Sequence, residues 1–183
     1  MARRLRSIAG FTLVEMLLVV LVMSVIAGTL LLDPAISADS RLNLGAERVA
    51  QALRFARTEA VRTQSYFRVT GSTSGRITVH ALNASQTPPQ TQQLARHPVT
   101  RQPIDFNLID EALTQGVVPT GVSFDFEVTG SRSVVDFGPS GMPKYVDSGG
   151  THRALTAGTV TLQFGGRQRL VLLDAQTGRV TIQ

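Results

Sequence analysis

From Phe11 to Leu32 the chain is almost continuously apolar, and Glu15 is the only charged residue in that stretch. At about 1.5 Å per residue these positions make a helix of roughly 33 Å, the thickness of a bilayer core. Asp33 and Pro34 interrupt the run and predict a kink. The pattern from Asp39 to Arg62 then repeats at helical spacing. Leu42, Ala46, Val49, Leu53, Ala56 and Ala60 share one face at steps of four and three, which predicts an amphipathic helix. Arg41, Arg48 and Arg62 fall opposite that stripe with Glu59 among them, while Arg54 and Arg57 flank it. Such a set reads as a solvated face with internal salt bridges; its functional alternative is a surface for neighbouring subunits.

Beyond Arg62 the period shortens to two and turn residues punctuate it, which predicts strands. Tyr66–Thr70 and Arg76–Ala81 flank the Gly71–Gly75 loop as a hairpin would. Val122–Val128 alternates Phe124 and Phe126 with Asp125 and Glu127. Ser133–Phe137, Thr159–Phe164, Arg169–Leu173 and Arg179–Ile182 complete the set, the last pair joined by a turn through Asp174–Gly178. The whole reads as an antiparallel sheet packed on the preceding helix, an α+β arrangement. Asn83–Pro103, with its clustered glutamines and four prolines, is expected to be an exposed, mobile loop. Gly138–Pro143 is a second turn-rich stretch that leads to a loop through Gly149 and Gly150.

Composition narrows the picture. The region after Leu32 holds about 150 residues, enough for one domain with a modest core. With no cysteine in 183 residues, neither a disulfide nor a thiolate metal site is available. The formal charge is +5, but three of the 18 basic residues lie within Met1–Gly10; without them 15 basic residues face 13 acidic ones, a formal +2. Bulk charge therefore makes no case for nucleic acid.

Arg3, Arg4 and Arg6 precede the apolar run with no acidic residue among them, so the N-terminus is expected to stay cytoplasmic and the rest to be exported. A secretory signal would have a shorter apolar stretch and a small-residue cleavage site after it. A plain membrane anchor leaves Gly10 and Glu15 unexplained, since an ionisable group in lipid costs on the order of 3 kcal/mol and normally has a partner. Both are accounted for by the stretch Arg6-Ser-Ile-Ala-Gly-Phe-Thr-Leu-Val-Glu15, which resembles the class III signal of type IV pilins and type II secretion pseudopilins. The resemblance implies that a prepilin peptidase cuts between Gly10 and Phe11 and N-methylates Phe11. It also implies that the apolar helix waits in the inner membrane until it is drawn into a fibre. There Glu15 would set subunit register by pairing with the Phe11 amine of a neighbour, unscreened by water. Ala9 stands where many relatives carry a basic residue.

Two further stretches narrow the resemblance. Leu53-Arg54-Phe55-Ala56-Arg57-Thr58-Glu59-Ala60 is similar to the L-x-x-A-R-x-E-A stretch of the type II secretion protein H / FimT family of minor pseudopilins and minor pilins. Gly166–Leu173 and Gly178–Ile182 resemble the strand pair that ends chains of that group. The implied fold is pilin-like: a long N-terminal helix, half transmembrane and half amphipathic, packed on a C-terminal antiparallel sheet. The expected organisation is a leader over 1–10, a transmembrane helix over 11–32, an amphipathic continuation over 33–62 and a periplasmic β-rich domain over 63–183, with a flexible loop at 83–103.

Catalytic ingredients are sparse. His80, His97 and His152 are scattered without metal-ligand spacing, Ser140 lacks a nucleophile-elbow frame, and no phosphate-cradling loop occurs. Asp125 and Glu127 look like a carboxylate pair, but strand alternation explains them. No enzyme, cofactor or metal site is expected. Two functions remain. In the first, the chain is a minor pseudopilin that helps initiate or cap a type II secretion pseudopilus, with other minor and major pseudopilins as partners. In the second, implied by the FimT-like resemblance, it is a minor type IV pilin that takes up DNA through Arg167, Arg169 and Arg179. A hairpin through Asp174–Gly178 would have to gather those arginines, because phosphate binding needs several cations together. Thr181 occupies a position that is basic in DNA-binding relatives, Asp174 adds a negative charge, and no aromatic residue is interleaved for stacking. Weak or absent DNA binding is expected.

Overall fold

The computed structural model describes residues 12–30 and 38–183, without the side chains of 25–30, and divides into two compact units at Ser37 and Ala38. The predicted leader, the cleavage pair Gly10 and Phe11, and the predicted kink at Asp33 and Pro34 lie outside the described residues.

The first unit holds α1, Leu13–Leu30. Thr12 begins it: its hydroxyl accepts the Glu15 N–H at 3.3 Å and its carbonyl accepts the Met16 N–H at 3.1 Å. Thr-x-x-Glu is a capping-box sequence, so the acidic residue in the first turn suits the helix N-terminus locally. Apolar side chains point outward all round the helix, with Leu13 79 %, Leu17 62 % and Leu21 62 % exposed. Among the described residues no helix is long and apolar enough to cross a membrane. Phe11, Leu31 and Leu32, which complete the predicted span, are not among them.

The second unit opens with α2, Ala38–Thr63, where the predicted stripe is the buried one: Leu42, Ala46, Val49, Leu53, Ala56 and Ala60 are all inaccessible or nearly so. Burying Leu42, Val49 and Leu53 contributes roughly 1.5–3 kcal/mol each. The alanines between them let the helix lie close against the sheet. At its end Gln64 takes a left-handed φ of 52°, and the Ser65 N–H reaches back to the Ala60 carbonyl at 3.2 Å, a Schellman-type stop.

Eleven strands follow: β1 Tyr66–Gly71, β2 Arg76–Asn83, β3 Gln90–Leu94, β4 Asp105–Asn107, β5 Val118–Phe126, β6 Gly130–Arg132, β7 Val134–Phe137, β8 Pro143–Val146, β9 His152–Phe164, β10 Arg167–Leu173 and β11 Val180–Ile182. All pairings are antiparallel, in the order β11-β10-β9-β8-β7-β1-β2-β3, with β4 added to β2, β5 to β9 and β6 to β5. The thirteen-residue β9 joins the two parts, pairing with β8 through its first residues and with β5 and β10 through the rest. Phe67, Val69, Val79, Val135, Phe137, Phe124, Val160 and Leu162 close the core beneath α2.

Several boundaries differ from the sequence reading. Gln90–Leu94, expected to lie in a loop, is the edge strand β3; its first four residues are exposed, so it has no apolar alternation to betray it. The stretch expected to run as turn and loop from Gly138 to Gly150 contains β8, which Pro143 opens at a position where a strand tolerates proline. Strand β5 ends at Phe126, and Glu127 and Val128 belong to the turn before β6. Val128 has a φ of 72° and is 87 % exposed.

Candidate functional site

The Leu53–Ala60 motif sits on α2 with Leu53, Ala56 and Ala60 buried and Arg57 turned sideways. Arg57 Nε donates to the Gly141 carbonyl at 3.2 Å, and its side chain lies beside Gly178. Gly141 (φ 73°) belongs to the Gly138–Pro143 turn, and Gly178 (φ 65°) to the β10–β11 turn. A Cβ on Gly178 would stand 2.7 Å from the Gly141 carbonyl oxygen, so only glycine fits there. The arginine and the two glycines thus lock two turns, far apart in sequence, against one side of α2. Gly178→Ala is expected to cost roughly 2–3 kcal/mol from strain and collision, and Arg57→Ala about 1 kcal/mol. Because both act through the Gly141 carbonyl, the double variant should lose less than the sum in urea titrations.

The remaining arginines of α2 only partly match the expected solvated face. Arg62 pairs with Glu59 (Nε to Oε2, 2.9 Å) and Arg54 with Glu47 (3.2 Å), within the helix. Hydrogen bonding to Arg62 lowers the Glu59 pKa below the ordinary carboxylate value. Arg41 and Arg48 instead reach off the helix. Arg41 donates to the Gln115 carbonyl at 3.1 Å and lies over Phe164, while Arg48 pairs with Glu111 and lies over Phe106. They clamp the segment between β4 and β5 to the helix.

Glu15 is exposed in the first turn of α1; the predicted cleavage pair, Gly10 and Phe11, lies outside the described residues. The three arginines of the proposed DNA patch are not brought together. Alternation along β10 puts Arg167 and Arg169 on the face shared with Val171 and Leu173, the face that α2 covers. There Arg167 pairs with Asp39, and Arg169 Nε donates to Asn43 Oδ1 at 2.9 Å. The hydrogen bond from Arg167 leads the causes that lower the Asp39 pKa, so this contact is present at neutral pH and is lost as pH falls through that lowered value. Arg179 lies beside Asp174 at the far end of the hairpin, where Leu173 pairs with Val180. Five residues of strand separate that level from Arg169, roughly 17 Å. The one signal in the sequence that the two β10 arginines lie on the α2 side of the strand was their alternation with Val171 and Leu173; Arg167 reaches Asp39 from an exposed position there.

The histidines have local settings. His80 is half-buried on β2, and burial pushes its pKa below the ordinary imidazole value. His97 stacks on Phe55 with ring centroids 6.4 Å apart, and His152 on Tyr66 at 5.5 Å. Ser140 Oγ accepts the Met142 N–H within its turn, and Asp125 accepts the Ser123 hydroxyl at 3.1 Å while Glu127 lies beyond the strand. Among the described residues no group of three His, Asp or Glu is placed to hold a metal ion.

An amphipathic helix laid on an antiparallel sheet, preceded by an all-round apolar helix, is the architecture of pilin-like subunits. The family model described as type II transport protein GspH matches residues 45–178, and the chain belongs to that family. Among solved structures, the minor pseudopilin EpsH of the type II secretion system of Vibrio cholerae aligns with a TM-score of 0.51 at 14 % identity, over 80 % of this chain and 95 % of that one. A second structure of that pseudopilin aligns at 0.49 and 18 % identity, over 78 % and 96 %. The type IV minor pilin FimU of Pseudomonas aeruginosa aligns at 0.45 and 15 % identity, over 79 % and 90 %. Comparison with curated protein sequences gives no match.

Proposed function

We propose that the chain is a structural subunit of a type II secretion pseudopilus, a minor pseudopilin that helps initiate or cap the fibre driving export across the outer membrane. The observation that carries this reading is α1: its apolar side chains are exposed on every side, so a lipid bilayer or other helices must bury them. The family match supplies the secretion context. In this reading a prepilin peptidase cleaves between Gly10 and Phe11 on the cytoplasmic side and methylates Phe11. The apolar stretch 11–32 holds the subunit in the inner membrane with its C-terminal domain in the periplasm. Assembly then transfers α1 from lipid into a bundle with major and minor pseudopilins.

Uptake of DNA is the weaker reading because Arg167 and Arg169 are engaged by α2 and Arg179 stands apart from them. The test is co-purification of the detergent-extracted full chain with candidate pseudopilins, alongside a DNA mobility-shift titration at low and moderate salt. A stoichiometric complex without a shift is expected. A micromolar, salt-sensitive shift lost in the Arg167→Ala, Arg169→Ala, Arg179→Ala triple variant, with no partner complex, would replace the secretion reading with DNA uptake.

A further inference from the structure

Among the described residues Val128 is the most exposed large apolar side chain, at 87 %. It stands at the tip of the β5–β6 hairpin, and β6 pairs with β5 alone, so the hairpin forms one margin of the sheet. Across the tip the Thr129 N–H donates to the Glu127 carbonyl at 2.9 Å, and Val128 between them has a φ of 72°. A hydrogen bond from the third residue to the first around a positive φ makes a γ-turn of the rare, strained kind. In this region Cβ crowds the backbone, and a β-branched side chain has the least freedom to relieve it. Gly130, two residues on, takes a φ of 69° without that steric penalty. The neighbouring Thr129 hydroxyl is buried with no hydrogen-bond partner among the described residues, a second local penalty in the same turn. A single exposed valine is ordinary on a protein surface. A valine held in a strained conformation with almost no packing inside the chain to offset it is not.

We propose that Val128 is an anchor that seats in an apolar socket of a neighbouring pseudopilin, with Glu127 set against a basic group on the rim of that socket. The proposal rests on the pseudopilus reading above. Backbone strain concentrates where a side chain must be presented for binding, and the γ-turn holds Val128 clear of both flanking strands. Burial in a partner supplies the packing that the strained residue lacks in its own chain. Glu127 fixes the chemistry of the rim. It is exposed, and no side chain pairs with it among the described residues, so its complement is a cation. The same carboxylate argues against lipid as the occupant, because inserting Val128 would draw the charge into the membrane with it. Asparagine enters the left-handed region far more readily than valine and fills no apolar socket, so Val128→Asn separates the strain of the free subunit from the gain on docking.

The experiment compares the full chain with Val128→Asn and Glu127→Lys. Each is purified in detergent for thermal unfolding followed by circular dichroism, and each is expressed with candidate pseudopilins to measure its incorporation into fibres. Val128→Asn should raise the unfolding midpoint by about 2–4 °C and yet lower incorporation by about fivefold or more. Glu127→Lys should leave the midpoint unchanged and also lose incorporation. A subunit that is more stable alone and assembles worse has no explanation in a folding defect. Incorporation of Val128→Asn at the unmodified level, or a midpoint that fails to rise, would overturn the anchor while the pseudopilus reading stands. Normal incorporation of Glu127→Lys would overturn the basic rim. Failure of the unmodified chain itself to enter fibres would overturn both the anchor and the reading beneath it. Self-association of the unmodified chain in detergent, abolished by Val128→Asn, would overturn the assignment to a different pseudopilin and make the occupant a second copy.

Discussion

Asp136→Ala is expected to lower the unfolding free energy by about 3–5 kcal/mol, a large share of the roughly 5–15 kcal/mol that holds a domain together. Asp136 has no exposed surface and sits on β7 directly opposite Arg68 of β1. Its Oδ1 accepts Arg68 Nε at 2.6 Å, and its Oδ2 accepts both an Arg68 Nη2–H and the Val146 N–H at 2.8 Å. The same Nη2 donates to the Val146 carbonyl at 3.2 Å, so one carboxylate and one guanidinium tie β1, β7 and β8 into a single unit. Burial opposes the Arg68 charge, but hydrogen bonding to Asp136 and its opposite charge hold the Arg68 pKa above the ordinary value. Removing the carboxylate leaves a buried cation and an orphaned backbone N–H, which is costlier than never having had the pair. The double change Arg68→Met, Asp136→Val removes both charges and should recover the part of the loss that comes from the unpaired cation, leaving the cost of the orphaned Val146 N–H. Urea titration of the full chain in detergent, followed by circular dichroism, measures each variant. A cost below 1 kcal/mol for Asp136→Ala, or no recovery in the double variant, would dismiss this account.

This pair marks where the sequence stops being legible. Ser133–Phe137 reads as an ordinary strand with Asp136 at a polar position, and nothing nearby says that a residue 68 positions earlier makes that position interior. By contrast, the stripe from Leu42 to Ala60 was legible because each helix position reports its own burial at a fixed period, with no knowledge of the sheet. Strand β3 was hidden for the opposite reason: an edge with both faces in solvent carries only backbone bonds, and backbone bonds leave no trace in side-chain pattern. The candidate site divides in the same way. The motif around Arg57 could be recognised as a string, but its purpose depends on Gly141 and Gly178, which meet only when the sheet is closed. The arginines at 167, 169 and 179 were visible as charges. Their dispersal follows from the hairpin register and from Asp39 and Asn43 across the helix.

Glu15→Ala is expected to insert in the membrane and lose its leader normally, yet to fall more than tenfold in its incorporation into fibres. Two roles for Glu15 compete on physical grounds. As the residue three positions after the Thr12 cap, it favours the start of α1 whether or not a neighbour is present. As a carboxylate among apolar side chains, it can also pair with the amine that the proposed cleavage would create at Phe11 of an adjacent subunit, fixing axial register where smooth apolar surfaces would slide. Coupling between close charges removed from water reaches about 1.5–7 kcal/mol, and each 1.4 kcal/mol is tenfold. A capping preference is worth about 1 kcal/mol and acts on the single subunit. Glu15→Gln separates the two, since glutamine serves a capping box as glutamate does but carries no charge. Both variants should fail to assemble if register depends on the ion pair, with helix content by circular dichroism unchanged in Glu15→Gln. Assembly of Glu15→Gln at the normal level, with Glu15→Ala alone defective, would reduce Glu15 to a helix-capping residue and leave the fibre register to apolar packing.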